Sequence, residues 1–180
     1  MKQLAPIIVL VCAWGTASTS LAQSNVVRED VEGITNFAHI ETTVACAGAI
    51  TPESVAEIKR MGFSSIINLR RPSEPGANIE AEAEAADVAG IRFIHLPFGG
   101  DPLDPAVADQ FLDVITDSET EPAFIHCAGG GRAAMMWMLK RVLVDDWALD
   151  RALEEATALG LNPESSLRQF ALDYIAARTG

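Results

Sequence analysis

The sequence predicts one α/β domain: a mainly parallel central sheet of four to five strands with helices on both faces. Three observations lead there. Short apolar runs rich in Ile, Val and Phe alternate with helical stretches, the order that builds a parallel sheet. The strand-like runs SSIINL and AFIH are continuously apolar rather than alternating, as strands buried on both faces are. Pro stands at first helical positions and Gly after last ones, so the punctuation falls where each element should switch. A chain of 180 residues suits one domain with a substantial core.

Taken in order, residues 1–22 are expected to be a signal peptide rather than part of the fold. Lys2 gives a short positive start, and Leu4–Trp14 is apolar but too short to span a bilayer. Ser20-Leu21-Ala22 is a small-x-small cleavage site, with the cut expected before Gln23. The stretch 23–33 reads as an extended lead-in continuing to Ile40, and 34–180 as the domain. Thr42–Cys46 is predicted as the first strand. Thr51-Pro52 opens a helix with Val55, Ile58 and Met61 inward, ended by Gly62. Ser64–Leu69 is the second strand. Ala77–Ala89 is an Ala/Glu-rich helix closed by Gly90, with Glu80, Glu82 and Glu84 expected on a solvated face. Ile91–Phe98 is the third strand, and Asp104-Pro105 opens a helix burying Val107, Phe111, Val114 and Ile115. Pro122–His126 is the fourth. The helix from Arg132 is apolar nearly all round and should be central. Ala148–Leu159 is amphipathic, and Asn162-Pro163 opens a last helix with Leu167, Phe170, Tyr174 and Ile175 inward.

Composition narrows the function. The formal net charge is −12, and no Lys/Arg-rich run occurs, which argues against nucleic acid or an anionic membrane as partner. With no second apolar run, the mature chain is expected to be periplasmic or secreted and free of the membrane. Cleavage would remove Cys12 and leave Cys46 and Cys127 in an oxidising compartment, where a disulfide between them stays an open possibility. No metal-ligand spacing appears, no cofactor is implied, and the Met135, Met136, Met138 and Trp137 cluster reads as core. His95 reads as a satisfied core residue and His39 as loop; Arg70 or Arg71 could reach the substrate cleft, with an exposed strand-end charge as the default. Oligomeric state is not legible.

The stretch Ala123–Met136, AFIHCAGGGRAAMM, carries the chemistry. It reads as a buried strand, a Cys, three glycines and an Arg that opens a helix. Loop amides converging at a helix N-terminus make an anion cradle. A Cys at its mouth is favoured as thiolate, and Arg132 offers a planar fork of donors to an oxyanion. In a parallel sheet such a ligand sits at the carboxyl ends of the strands, where Cys127 falls.

HCAGGGR after a strand resembles the cysteine-based phosphatase superfamily. The stretches ACAGAITPE, GFSSIINLRRPSE and IRFIHLPF make it most similar to the bacterial tyrosine-phosphatase-like, beta-lactamase-hydrolase-like group, over roughly Ile34–Gly160. The resemblance implies a dual-specificity-phosphatase-like fold and hydrolysis of a phosphate monoester through a phosphocysteine. It implies Cys127 as nucleophile, and the backbone of Ala128, Gly129, Gly130, Gly131 and Arg132 as the phosphate site. The Arg132 side chain would stabilise the transition state and His126 would orient the loop. The general acid should come from the loop after Ile91–Phe98. Asp104 has a role as N-cap, so Asp101 is favoured. The motif departs from the superfamily in two places: four residues rather than five separate Cys127 from Arg132, and Ala133 replaces the usual Ser or Thr. Four is also the spacing of rhodanese-type sulfurtransferases, so a Cys127 persulfide is one alternative. A non-catalytic phosphate- or anion-binding module is another.

Overall fold

The fold is described from a computed structural model, over residues 25–40 and 43–180. The signal-peptide segment, its cleavage site and Thr42 of the first predicted strand lie outside the described residues. Six strands form the sheet: β1 (Val26–Arg28), β2 (Ala38–Ile40), β3 (Val44–Ala47), β4 (Ser65–Asn68), β5 (Arg92–His95) and β6 (Ala123–His126). Their spatial order is β1-β2-β3-β6-β4-β5. β3, β6, β4 and β5 run parallel, whereas β1 and β2 join antiparallel at the β3 edge.

The prediction of four to five strands is corrected to six, because the stretch read as extended lead-in supplies two. Each has only three residues, too short for a period-two pattern to stand out. His39, expected in a loop, therefore lies on β2, in register with Val27 and Ala45. The predicted first strand is β3, and its central position follows from composition: every residue of β3, β4 and β6 is buried. β6 lies between β3 and β4, so its carboxyl end emerges in the middle of the sheet.

The helices divide between the faces. A 3-10 turn, Pro52–Ser54, leads into α1 (Val55–Arg60), which with α2 (Ile79–Ala89) covers one face. There Val55, Ile58 and Ala86 pack with Ala45, Ala47, Ile66 and Phe124. The other face carries α3 (Pro105–Ile115), α4 (Gly131–Leu143), α5 (Leu149–Leu159) and α6 (Ser166–Thr179), packed on Val44, Cys46, Ile67, Ile125 and Cys127. The alternation of side chains along each strand thus sends Phe124 and His126 to one side and Ile125 and Cys127 to the other.

Local chemistry sets the helix ends. Gly90 takes φ +64° to close α2, a conformation that costs glycine nothing. Asp104 caps α3 by accepting from the Ala106 amide at 2.9 Å, with Pro105 at the first helical position. The last helix starts later than Asn162-Pro163 suggests. Asn162 Oδ1 accepts from the Glu164 amide at 2.9 Å, making a turn, and Ser165 is the cap of α6.

α4 is the central helix expected: Ala133 to Leu139 are all fully buried. Its Trp137 donates Nε1–H to Glu155 Oε1 at 2.8 Å, and Arg141 Nε donates to the same oxygen at 2.7 Å, so the buried carboxylate of α5 is compensated. Replacing Trp137 by Ala should cost about 3–5 kcal/mol, through the cavity and the lost donor, read as a lowered urea midpoint at unchanged m.

Candidate active site

β6 delivers Cys127 to the carboxyl ends of the parallel strands. Its amide still donates to Ala47 O at 3.2 Å, which holds the first loop residue to β3. The chain then leaves the sheet and turns into α4. Gly130, at φ +99°, makes that turn in a conformation that L side chains rarely adopt. Two tethers fix the outer side: the Ala49 amide donates to Ala128 O at 3.0 Å, and Asn36 Nδ2 donates to Gly129 O at 3.2 Å.

The Ala128 and Gly129 carbonyls are thus tied to the outer side of the loop. Gly130 N–H donates to Cys127 Sγ at 3.1 Å. The amides of Ala128, Gly129, Gly131 and Arg132 donate to no protein acceptor among the described residues. Those free donors, with the first turn of α4 behind them, are what an oxyanion ligand needs. Cys127 is 1% exposed, at the floor of this loop.

Arg132 is held by more contacts than sequence reasoning supplied. Its Nη1 donates to Glu74 Oε1 at 2.6 Å, Phe98 O at 2.6 Å and Leu69 O at 3.1 Å; Nη2 donates to Glu74 Oε2 at 2.7 Å. The two Nη groups therefore clamp Glu74 side by side. The guanidinium also interacts with the Cys127 sulfur, and its Nε–H and second Nη2–H donate to no protein oxygen among the described residues. Burial opposes the charge of Arg132, but the Glu74 hydrogen bonds and the pull of Cys127 and Glu74 outweigh it and raise the pKa. Burial likewise acts to raise the Glu74 pKa, yet the bonds from the Arg132 side chain and the Arg71 backbone bring it down to about 2.

Arg70 positions Glu74. It was expected exposed at a strand end, but it is 4% exposed, because its donors are needed inside. Nη1 and Nη2 donate to Gly76 O at 2.7 Å and Pro75 O at 2.5 Å, stapling the loop that carries Glu74. Arg71, by contrast, remains exposed.

Behind the loop lies a second pair that sequence reasoning missed. Glu82, assigned to a solvated face, is fully buried, as is His126. Its Oε2 is 3.3 Å from His126 Nε2 and accepts from Asn68 Nδ2 at 2.6 Å. Asn68 Oδ1 in turn accepts from the Arg70 amide at 2.7 Å. Glu82 Oε1 and both His126 nitrogens lack hydrogen-bond partners, so the 3.3 Å approach is fixed by packing and by the Asn68 bond to Oε2. The correction has a readable cause: Glu82 shares a helical stripe with buried Ala86, four residues on, whereas Glu80 and Glu84 lie on the exposed side.

The remaining predicted residues are placed less closely. Asp101 sits exposed on the loop after β5. Its neighbours Gly99, Gly100 and Leu103 line a cavity of about 300 Å³ with Arg132 and Glu74. Asp104 is engaged as the α3 cap. Cys46 and Cys127 are free thiols. Cys46 pairs in register with Ile125, one diagonal step from Cys127 on the same face. Burial pushes the Cys46 thiol well up, with the charges of Cys127 and Glu155 adding to it, so Cys46 is a packed thiol rather than a nucleophile. His95 is half-buried, with Nε2 2.8 Å from Arg70 O. Among the described residues no group of three or more His, Cys, Asp or Glu is arranged to hold a metal.

With this geometry in view, comparison with known proteins decides the family. Residues 36–144 match the family described as beta-lactamase hydrolase-like protein, phosphatase-like domain. The chain belongs to this family. A beta-lactamase hydrolase-like protein of Xylella fastidiosa is 32% identical over 125 residues, covering 67% of this chain and 27% of that protein. The chain thus spans about a quarter of the length of that relative. The dual specificity protein phosphatase TpbA of Pseudomonas aeruginosa is 23% identical over 154 residues, covering 84% of this chain and 67% of that protein. Among solved structures, a cysteine-to-serine variant of P. aeruginosa TpbA in complex with phosphotyrosine matches with TM-score 0.63 and 18% identity, covering 89% of this chain and all of that one. The core catalytic domain of the S. cerevisiae PP-IP phosphatase SIW14, in complex with citrate, matches with TM-score 0.64 and 19% identity, covering 83% and 95%. The fold of this family member is thereby that of the dual-specificity-type phosphatases.

Two stability measurements check the site. Glu74 has a folded pKa below its unfolded one, so its contribution is present above the ordinary carboxylate range and is lost as pH falls through about 2. Urea midpoints between pH 2 and 5 should fall on acidification, and Glu74→Gln should flatten that dependence. Glu82→Ala leaves the buried Asn68 Nδ2 without its acceptor and should cost about 1–3 kcal/mol in urea unfolding.

Proposed function

We propose that this phosphatase-family chain hydrolyses phosphate monoesters through a phosphocysteine on Cys127, as an exported, periplasmic or secreted protein. The observation that carries the reading is the Cys127 sulfur accepting from the Gly130 amide at the floor of the loop, with Arg132 clamped beside it by Glu74. The amides of Ala128 to Arg132 and the free edge of Arg132 take the phosphoryl oxygens and stabilise charge that builds on them. The Cys127 thiolate attacks phosphorus in line, forming the S–P bond as the ester P–O bond breaks. Asp101, brought in from its exposed loop, gives its proton to the leaving alkoxide or phenoxide. Water then attacks the phosphocysteine, its proton passes to the Asp101 carboxylate, and the S–P bond breaks to return thiolate and inorganic phosphate. His126, steadied by Glu82, holds the strand end from which the thiolate projects. The N-terminal apolar run followed by Ser20-Leu21-Ala22 supports export.

Ala133 favours a second reading. Its methyl stands at the buried first turn of α4, where a hydroxyl would ease departure of the thiolate in the second step. A loop so built binds phosphate without turning it over.

Release of phosphate from an aryl phosphate separates the two. The first reading expects turnover that Cys127→Ser abolishes and Arg132→Lys lowers by about 10²–10³-fold, with Asp101→Asn lowering kcat. Full activity in Cys127→Ser contradicts it. Thermal stabilisation by phosphate with no turnover supports the binding module.

A further inference from the structure

We propose that Arg71 forms a second anion subsite at the mouth of the pocket. Preferred substrates then carry, beside the phosphoryl group held by the loop, a further carboxylate or phosphate. The inference rests on the loop binding a phosphoryl group, and names what the rest of that ligand should look like.

Arg71 and Arg132 both face the 300 Å³ cavity that Glu74, Gly99, Gly100 and Ser166 help to line. The two guanidinium groups lie side by side against one glycine: a Cβ on Gly99 would stand 3.1 Å from Arg132 Nη1 and 3.3 Å from Arg71 Nε. A Cβ on Gly100 would stand 3.5 Å from Arg71 Nη1. The glycine pair thus leaves room for both cations, one deep and one at the rim.

Their engagement differs. Glu74 Oε1 is 2.6 Å from Arg132 Nη1 but 3.5 Å from Arg71 Nε, so the carboxylate neutralises Arg132 first. The Arg71 side chain is 44% exposed, and its Nη groups donate to no protein acceptor among the described residues. Glu74 is the one carboxylate among the residues lining this cavity. A cavity of about 790 Å³ elsewhere, lined by Asp30, Glu32, Glu53 and Glu57, has the opposite character. In a chain of net charge −12, the rim at Arg71 is therefore a local place where a second negative charge is attracted. An open fork of donors takes a planar carboxylate or a phosphate edge-on.

The test uses meta-carboxyphenyl phosphate and meta-carbamoylphenyl phosphate, alike in shape and differing by one charge. Binding to the Cys127→Ser chain is measured by calorimetry at low salt, so the result does not depend on turnover. The carboxylate should bind about three- to fivefold more tightly, the preference of a partly exposed ion pair. It should vanish in Cys127→Ser/Arg71→Gln, reverse in Cys127→Ser/Arg71→Glu, and shrink with added salt. Equal affinities in the Arg71 chain, or a preference that survives Arg71→Gln, overturn the subsite; so does failure of either phosphate to bind. Turnover of the carbamoyl compound by the native chain reports separately on the phosphatase reading, so a subsite that fails leaves that reading standing.

Discussion

The Arg132 guanidinium ties together the ends of three strands. It grows from α4, just past β6, yet it donates to the carbonyls that follow β4 and β5, Leu69 and Phe98. Glu74 closes the arrangement by clamping both Nη groups, and Arg70 staples the loop that carries Glu74. A guanidinium committed in this way cannot swing, so its remaining edge is aimed before any ligand arrives. That pre-organisation is what suits a glycine-rich loop to hold a ligand: unsupported loop amides must be ordered when a ligand binds, whereas these are held beforehand from both flanks of β6.

Below the loop, the same constraint recurs in a drier setting. Burying Glu82 and His126 without full hydrogen bonding is costly, and it is offset by the Asn68 amide that Glu82 accepts from and by the packing around the pair. The cost is borne one residue from Cys127, where strand becomes loop. Cys46 marks the contrast. It lies on the same face as Cys127, but burial keeps it protonated, and no loop amide reaches it. Two thiols a diagonal step apart thus differ in surroundings because one stands at a strand end, where the Gly130 amide reaches it, and the other within a strand.

How much of this was legible depended on the range of the interaction. The parallel sheet, the central helix and the Cys127–Arg132 cradle could be read, because each is written in contiguous residues with their own periodicity or spacing. β1 and β2 could not, since three-residue strands take their identity from the edge they pair with. Glu74 and Arg70 escaped for a different reason. Glu74 lies 58 positions from its partner Arg132, and only the loop closure after β4 brings them together. Glu82 was readable in principle from its stripe with Ala86, but three glutamates at alternate positions look like a solvated face unless the helix phase is followed residue by residue. The placement of Asp101 depends on a loop without a periodic pattern, which is why its part rests on chemistry rather than on contacts.

The claim on which the rest turns is that this fixed cradle presents Cys127 sulfur, and no other group, to phosphorus. Acid quenching of the native chain during turnover of an aryl phosphate, followed by peptide mass spectrometry, tests it most directly. The account predicts a phosphoryl group on the Cys127 peptide, accumulating because Ala133 offers no hydroxyl to hasten its hydrolysis. Turnover that proceeds with Cys127 unmodified at every quench time, or with the phosphoryl group on another residue, would contradict it.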